Sequence, residues 1–140
     1  MPARSLLTLS ALLAASAIAA PTIDPQYGDH AVVQRGKPVH LSGTAAPNEK
    51  LTVSFGGEQL TTAADAGGRW QAKFDTRASG GPFTIRVAGP HGIAAANDVA
   101  IGDVWLCSGQ SNMEYPVRRA LNSDAEVQNA SDADLRLMKV

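Results

Sequence analysis

From residue 22 to residue 101 the chain alternates apolar and polar positions with a period of two. Val39 and Leu41 alternate with His40 and Ser42. Leu51, Val53 and Phe55 alternate with Thr52 and Ser54. Trp70, Ala72 and Phe74 alternate with Arg69, Gln71 and Lys73, and Phe83, Ile85 and Val87 with Thr84 and Arg86. Such runs bury one face and wet the other, which is the mark of antiparallel sheet. Turn residues separate them: Ala46-Pro47-Asn48, Phe55-Gly56-Gly57, Ala66-Gly67-Gly68, Ser79-Gly80-Gly81-Pro82 and Gly89-Pro90-His91-Gly92. Val99 and Ile101 read as the last strand. Strands at this spacing, with no long helical pattern between them, predict a small antiparallel β-sandwich of about six or seven strands. It would span residues 21–102 and resemble an immunoglobulin-like or jelly-roll-like layer pair.

After Gly102-Asp103 the pattern changes. Val104, Trp105, Leu106 and Cys107 form an uncharged apolar run long enough for a buried strand. Ser108-Gly109 breaks it, and Ser111 stands just beyond the expected strand end. In open α/β sheets that rim is where ligands bind. A helical turn starting at Ser111 would also leave free N–H groups facing a developing oxyanion. Ser123-Asp124-Ala125-Glu126 has the form of a capping box and predicts a short helix to about Asn129. Leu135, Leu137 and Val140 lie in a second expected strand. Strand, turn, helix, strand is the opening unit of a parallel sheet. The expected fold is therefore mainly β, a sandwich followed over residues 103–140 by the truncated start of an α/β domain.

Composition narrows the function. Residues 1–20 have a positive start at Arg4, an apolar stretch and a small-x-small site at Ala17-Ile18-Ala19, which predicts a cleaved signal peptide. The apolar run is short for a membrane span. The mature protein is expected to be exported, periplasmic or extracellular, with no membrane attachment after cleavage. A net charge of −1 gives no reason to expect a nucleic-acid partner. The single cysteine, Cys107, excludes an internal disulfide framework and reads as a small core residue. No spacing suggests a metal site.

Gly102-Asp103-Val104-Trp105-Leu106-Cys107-Ser108-Gly109-Gln110-Ser111-Asn112-Met113 resembles the nucleophile block of the sialate O-acetylesterase family, within the SGNH (GDSL-type) hydrolases. Met113 stands where an α/β-hydrolase elbow would have its second glycine. The sandwich adds to the resemblance through Ala31-Val32-Val33-Gln34-Arg35-Gly36-Lys37-Pro38, Gly67-Gly68-Arg69-Trp70 and Gly80-Gly81-Pro82-Phe83. Val33 departs from the usual leucine. The resemblance implies that Ser111 is the catalytic nucleophile and its backbone N–H an oxyanion donor. It further implies an O-acetylated sugar as substrate and no cofactor or metal.

A serine needs a base and the base an orienting group. In the family these are a histidine and an aspartate near the far end of the hydrolase domain, and glycine and asparagine blocks complete the oxyanion hole. All three histidines here, His30, His40 and His91, precede Ser111. The chain is accordingly expected to be the N-terminal portion of an esterase and inactive by itself. Around Ser111, Asn112 and Met113 are expected to shape the turn, and Glu114 to be a solvated carboxylate. Arg118 and Arg119 would suit either an anionic sugar or a solvated face. Two alternatives remain: an acetylxylan-type esterase, and an exported sugar-binding sandwich with Trp70 and Trp105 as stacking platforms. Phase places Trp70 in the core, and Trp105 lies in an apolar run, so both rings are expected to be buried.

Overall fold

A computed structural model describes residues 19–139. The expected leader therefore lies, apart from its last two residues, outside the described residues. The fold is mainly β. Its strands are β1 (Val32–Gln34), β2 (Val39–Thr44), β3 (Lys50–Phe55), β4 (Glu58–Ala63), β5 (Arg69–Phe74), β6 (Gly80–Gly89) and β7 (Gly92–Gly102). They form a five-stranded sheet, β1-β7-β6-β3-β4, and a two-stranded sheet, β2-β5.

The alternation read from the sequence is the burial pattern of the strands. Val39 and Leu41 of β2, Leu51, Val53 and Phe55 of β3, Trp70 and Phe74 of β5, and Ile85 and Val87 of β6 are all buried, with Val99 and Ile101 of β7. The Phe55 and Phe74 rings meet edge to face at 5.8 Å, joining the two sheets across one core. Trp70 is fully buried, and its Nε1–H donates to the Thr22 carbonyl at 3.0 Å. Residues 22–24 run along the outside of β2: Thr22 N–H donates to Thr44 O at 2.7 Å and Asp24 N–H to Ser42 O at 2.9 Å. These bonds cover an edge that would otherwise be open. Gly43 makes this approach possible, because a Cβ there would overlap the Thr22 carbonyl and lie 2.8 Å from Trp70 Nε1.

Three features differ from the sequence reading. The large sheet is mixed: β1 pairs parallel with β7, Val32 opposite Ala100 and Gln34 opposite Gly102. Alternation reports the buried face and is the same in both ladder types. β4 was not visible, because its residues alternate only between partly and fully exposed at the sheet's edge. Most important for the site, neither apolar stretch after Gly102 forms a strand. Residues 103–110 have no strand partner, and neither do residues 135–139. Val104, Trp105, Leu106 and Leu137 are 53%, 84%, 88% and 91% exposed. Cys107, expected in a core, is exposed as well. A parallel strand needs hydrogen-bonding neighbours and cover on both faces, and the described residues supply neither. The expected short helix is present as α1 (Ser123–Asn129), but the capping box is not formed: Ser123 lies inside the helix and its N-cap, Asn122, makes no side-chain cap bond.

Candidate active site around Ser111

β1 and the end of β7 position the segment that carries Ser111. The Arg35 N–H donates to Gly102 O at 2.8 Å, extending the β1–β7 pairing by one residue. Gln34 Oε1 then accepts the Val104 N–H at 2.9 Å, and Arg35 Nε donates to Asp103 Oδ1 at 2.8 Å. The Gln-Arg pair of the first strand thus holds the first two residues beyond the sheet. Its sequence signal was present, but nothing in the sequence said what it touched.

Beyond this anchor the chain reaches Gly109 and turns. Ser111 is the first residue of a short 3-10 turn, Ser111–Glu114, flanked by Gln110 in an extended conformation. The Met113 N–H closes the turn onto Gln110 O at 2.8 Å. Gly109 lies against Met113, where a Cβ would come within 2.6 Å of the Met113 side chain. Ser111 is exposed. As the first residue of the turn, its N–H has no acceptor within the turn. The helical turn expected at Ser111 is therefore present, on a loop instead of at a strand end.

The histidines lie in the sheets and their loops, as expected. His40 is exposed on β2. His30 Nδ1 is 2.6 Å from Asp98 Oδ2. His91 Nδ1 is 3.2 Å from Glu49 Oε1, and this partner was not foreseen. Glu49 is 6% exposed and also accepts the N–H groups of Ala46 and His91, at 2.9 and 3.4 Å. Burial opposes its charge, but the Ala46 N–H and His91 outweigh burial and hold its carboxyl below the usual range.

Ser111 Oγ has no hydrogen-bond partner among the described residues, so no general base is assembled on it there. Glu114, exposed as expected, has its Oε1 3.5 Å from Lys139 Nζ. The Tyr115 hydroxyl donates to Arg119 O at 2.8 Å and braces the loop. No group of three or more His, Cys, Asp and Glu side chains among the described residues could hold a metal ion.

Between the β1–β7 edge and residues 134–138 runs a groove of about 1340 Å³, lined among others by Tyr27, His30, Lys37, Trp105 and Arg136. The second unforeseen feature lies at its end. Arg136 reaches back across the groove to Asp98 and Ala31. The Asp98 carboxyl is held below the usual range by the His30 hydrogen bond and by Arg136, against the opposing effect of burial.

No family model matches the chain. It is 31% identical to a mouse sialate O-acetylesterase over 97 residues, covering 64% of this chain and 18% of that protein. A human sialate O-acetylesterase is 31% identical over 107 residues, covering 70% and 20%. Among solved structures, a carbohydrate acetylesterase from Xanthomonas citri superposes with a TM-score of 0.77 at 41% identity, over 81% of this chain and 26% of that one. The chain spans about a fifth of the length of the curated relatives it matches.

Proposed function

The chain belongs to the sialate O-acetylesterase family over the stretch it shares with those relatives, and from that premise we propose that Ser111 is the nucleophile of a serine esterase removing O-acetyl groups from sugars. One observation carries the reading. Ser111 is exposed at the first position of a turn, where its N–H has no acceptor within the turn, and its segment is anchored on the sheet by Gln34 and Arg35.

The chemistry is that of an SGNH-type hydrolase. The Ser111 hydroxyl oxygen attacks the acetyl carbonyl while a histidine accepts its proton. The Ser111 N–H, with donors from the rest of the hydrolase domain, stabilises the tetrahedral oxyanion. Collapse releases the sugar hydroxyl, which takes up the proton from the histidine. Water then attacks the acetyl-serine, releasing acetate and restoring Ser111. The base and its orienting aspartate come from outside these 140 residues, so the isolated chain is expected to turn over no acetyl ester. The leader read from residues 1–20 would place the enzyme outside the cytoplasm.

The test is Ser111→Ala in the full-length esterase, assayed for acetate release from acetylated sialic acid and acetylated xylan oligomers. Loss of an activated nucleophile lowers kcat by at least about a thousandfold, and the preferred substrate separates the sialate from the xylan reading. Turnover unchanged by Ser111→Ala would remove Ser111 from the mechanism. A second reading, a sugar-binding module, is favoured by one observation: Trp105 is 84% exposed and lines the groove. Quenching of Trp105 that acetylated oligosaccharide relieves would support it, and unaltered quenching would remove it.

A further inference from the structure

The Ser111 segment is tied to the same strand pair at both ends. Its start is held at the C-terminal end of β1 by Gln34 and Arg35. Its far end is held at the other end of that strand. Arg136 Nη1 donates to the Ala31 carbonyl at 3.3 Å and to the Asp98 carbonyl, and Nη2 donates to Asp98 Oδ1 at 3.0 Å. Ala31 and Gln34 are three residues apart, so the anchors lie about 10 Å from each other along the strand.

The far anchor is built into an irregularity of the sheet. The β6–β7 register shifts between Phe83, opposite Val99, and Ile85, opposite Ala96. Asp98 falls in that bulge with a left-handed φ of 55°. A bulged residue leaves the ladder, so its carbonyl needs another partner, and Arg136 supplies it. His30 takes the second carboxylate oxygen, Oδ2, at 2.6 Å. The charged groups facing Asp98 are thus His30 and Arg136. Among described residues 124–139, Arg136 alone is half-buried and the rest are exposed, although Leu135 and Leu137 beside it are apolar. That segment is docked through a guanidinium fork, the side chain best suited to gripping a carbonyl and a carboxylate together.

We propose that Arg136 is a positioning residue that fixes the far end of the Ser111 segment on the β1–β7 edge. With it, residues 103–135 form a closed loop suspended between two anchors on one strand pair. Without it, they are a tether held at one end. The contact itself is independent of the chemistry assigned to Ser111. Its catalytic consequence rests on that assignment.

The contact is tested by following the Asp98 side-chain carboxyl through a pH titration by carbon NMR in the wild-type chain and in Arg136→Gln and Arg136→Lys. Removing the guanidinium charge raises the Asp98 midpoint toward the ordinary carboxylate range. Arg136→Lys restores part of the depression. An Asp98 midpoint unmoved by Arg136→Gln overturns the proposal. Asp98→Asn tolerates the left-handed backbone and breaks the anchor from the other side. Its effect on stability and that of Arg136→Gln should not add, and full additivity would also count against the anchor. In the full-length esterase, Arg136→Gln lowers kcat on the order of tenfold to a hundredfold with KM little changed, the signature of a misplaced nucleophile. If Ser111→Ala leaves turnover intact, the nucleophile assignment fails, while the Asp98 titration still decides the anchor.

Discussion

Glu49 is the buried charge on which the corner between β2 and β3 depends, and replacing it tests the account of that corner. Its carboxylate sits at the start of β3, 6% exposed, and accepts the Ala46 N–H, the His91 N–H and a bond from the His91 ring. It thereby joins the turn before β3 to the turn between β6 and β7. Glu49→Ala removes the acceptor and leaves two backbone donors to find new partners. A hydrogen bond to a charged group contributes about 1.5–3 kcal/mol, and an unsatisfied buried donor costs about 1–3 kcal/mol. The 3.4 Å bond to His91 is long, so the lower half of the combined range applies, about 2–4 kcal/mol. That is a large share of the ~5–15 kcal/mol typical of a domain. Glu49→Gln keeps the shape and one acceptor and should lose about 1–2 kcal/mol. Urea unfolding at neutral pH, followed by the fluorescence of buried Trp70, measures both. The pH dependence supplies a second check. The folded-state pKa of Glu49 is lowered, so its stabilisation is fully present above the ordinary glutamate value, about 4.3, and is lost as pH falls through the lower folded value. The gap between wild type and Glu49→Gln must therefore narrow on acidification below about pH 4. A Glu49→Ala variant within ~0.5 kcal/mol of wild type, or a gap that widens in acid, would refute the argument.

Other consequences follow from the same contacts. Gly43→Ala pushes a methyl group into the Thr22 carbonyl and against Trp70, and should destabilise the domain by about 1–3 kcal/mol in the same urea assay. Trp70→Phe keeps most of the packing but removes the bond to Thr22 O, a loss of about 1 kcal/mol before any cavity effect. Gln34→Ala leaves the Val104 N–H without its acceptor; amide exchange at Val104 should accelerate while the β6–β7 amides keep their protection, and equal acceleration throughout would mean that Gln34 serves the sheet and not the segment. Iodide should quench Trp105 and spare Trp70 in this chain, given exposures of 84% and 0%.

What the sequence disclosed and what it concealed divide by physical cause. Period two is imposed by strand geometry whatever the ladder direction. Val39, Leu41, Leu51, Val53, Trp70 and Phe74 could therefore be placed inside from the sequence, while the parallel pairing of β1 with β7 could not. β4 escaped because, at the sheet's edge, its alternation runs only between partly and fully exposed positions, and Leu60 is its one large apolar side chain. Glu49 escaped for the opposite reason. Its neighbours Pro47 and Asn48 announced a turn, and a carboxylate in a turn ordinarily faces water, so only the spatial approach of the β6–β7 turn reveals why it is buried. Ser111 was legible as a turn serine because Gly109 and the apolar run bracket it, but the groups that position its segment lie some 70 residues earlier, at Gln34 and Arg35.

The apolar run before Ser111 gives the sharpest form of this division. Hydrophobicity specifies that Val104, Trp105 and Leu106 gain by leaving water, but it does not specify what they leave it for. A strand buried on both faces forms only when neighbouring strands take its N–H and C=O groups and layers cover its side chains. Among the described residues the run has Gln34 for one N–H and nothing for its faces. The run therefore has the composition of a buried strand without the neighbours and cover that would make it one. Cys107, the single cysteine, is exposed in this chain and should react with a maleimide reagent at the rate of a free solvent-accessible thiol. If the chain is part of the longer esterase proposed above and a further domain encloses the run, the same thiol in that protein should react at least about tenfold more slowly, as expected of a thiol buried in apolar surroundings. Equal rates in the two proteins would mean that the run stays uncovered, and the parallel-sheet reading of residues 103–140 would fall with it.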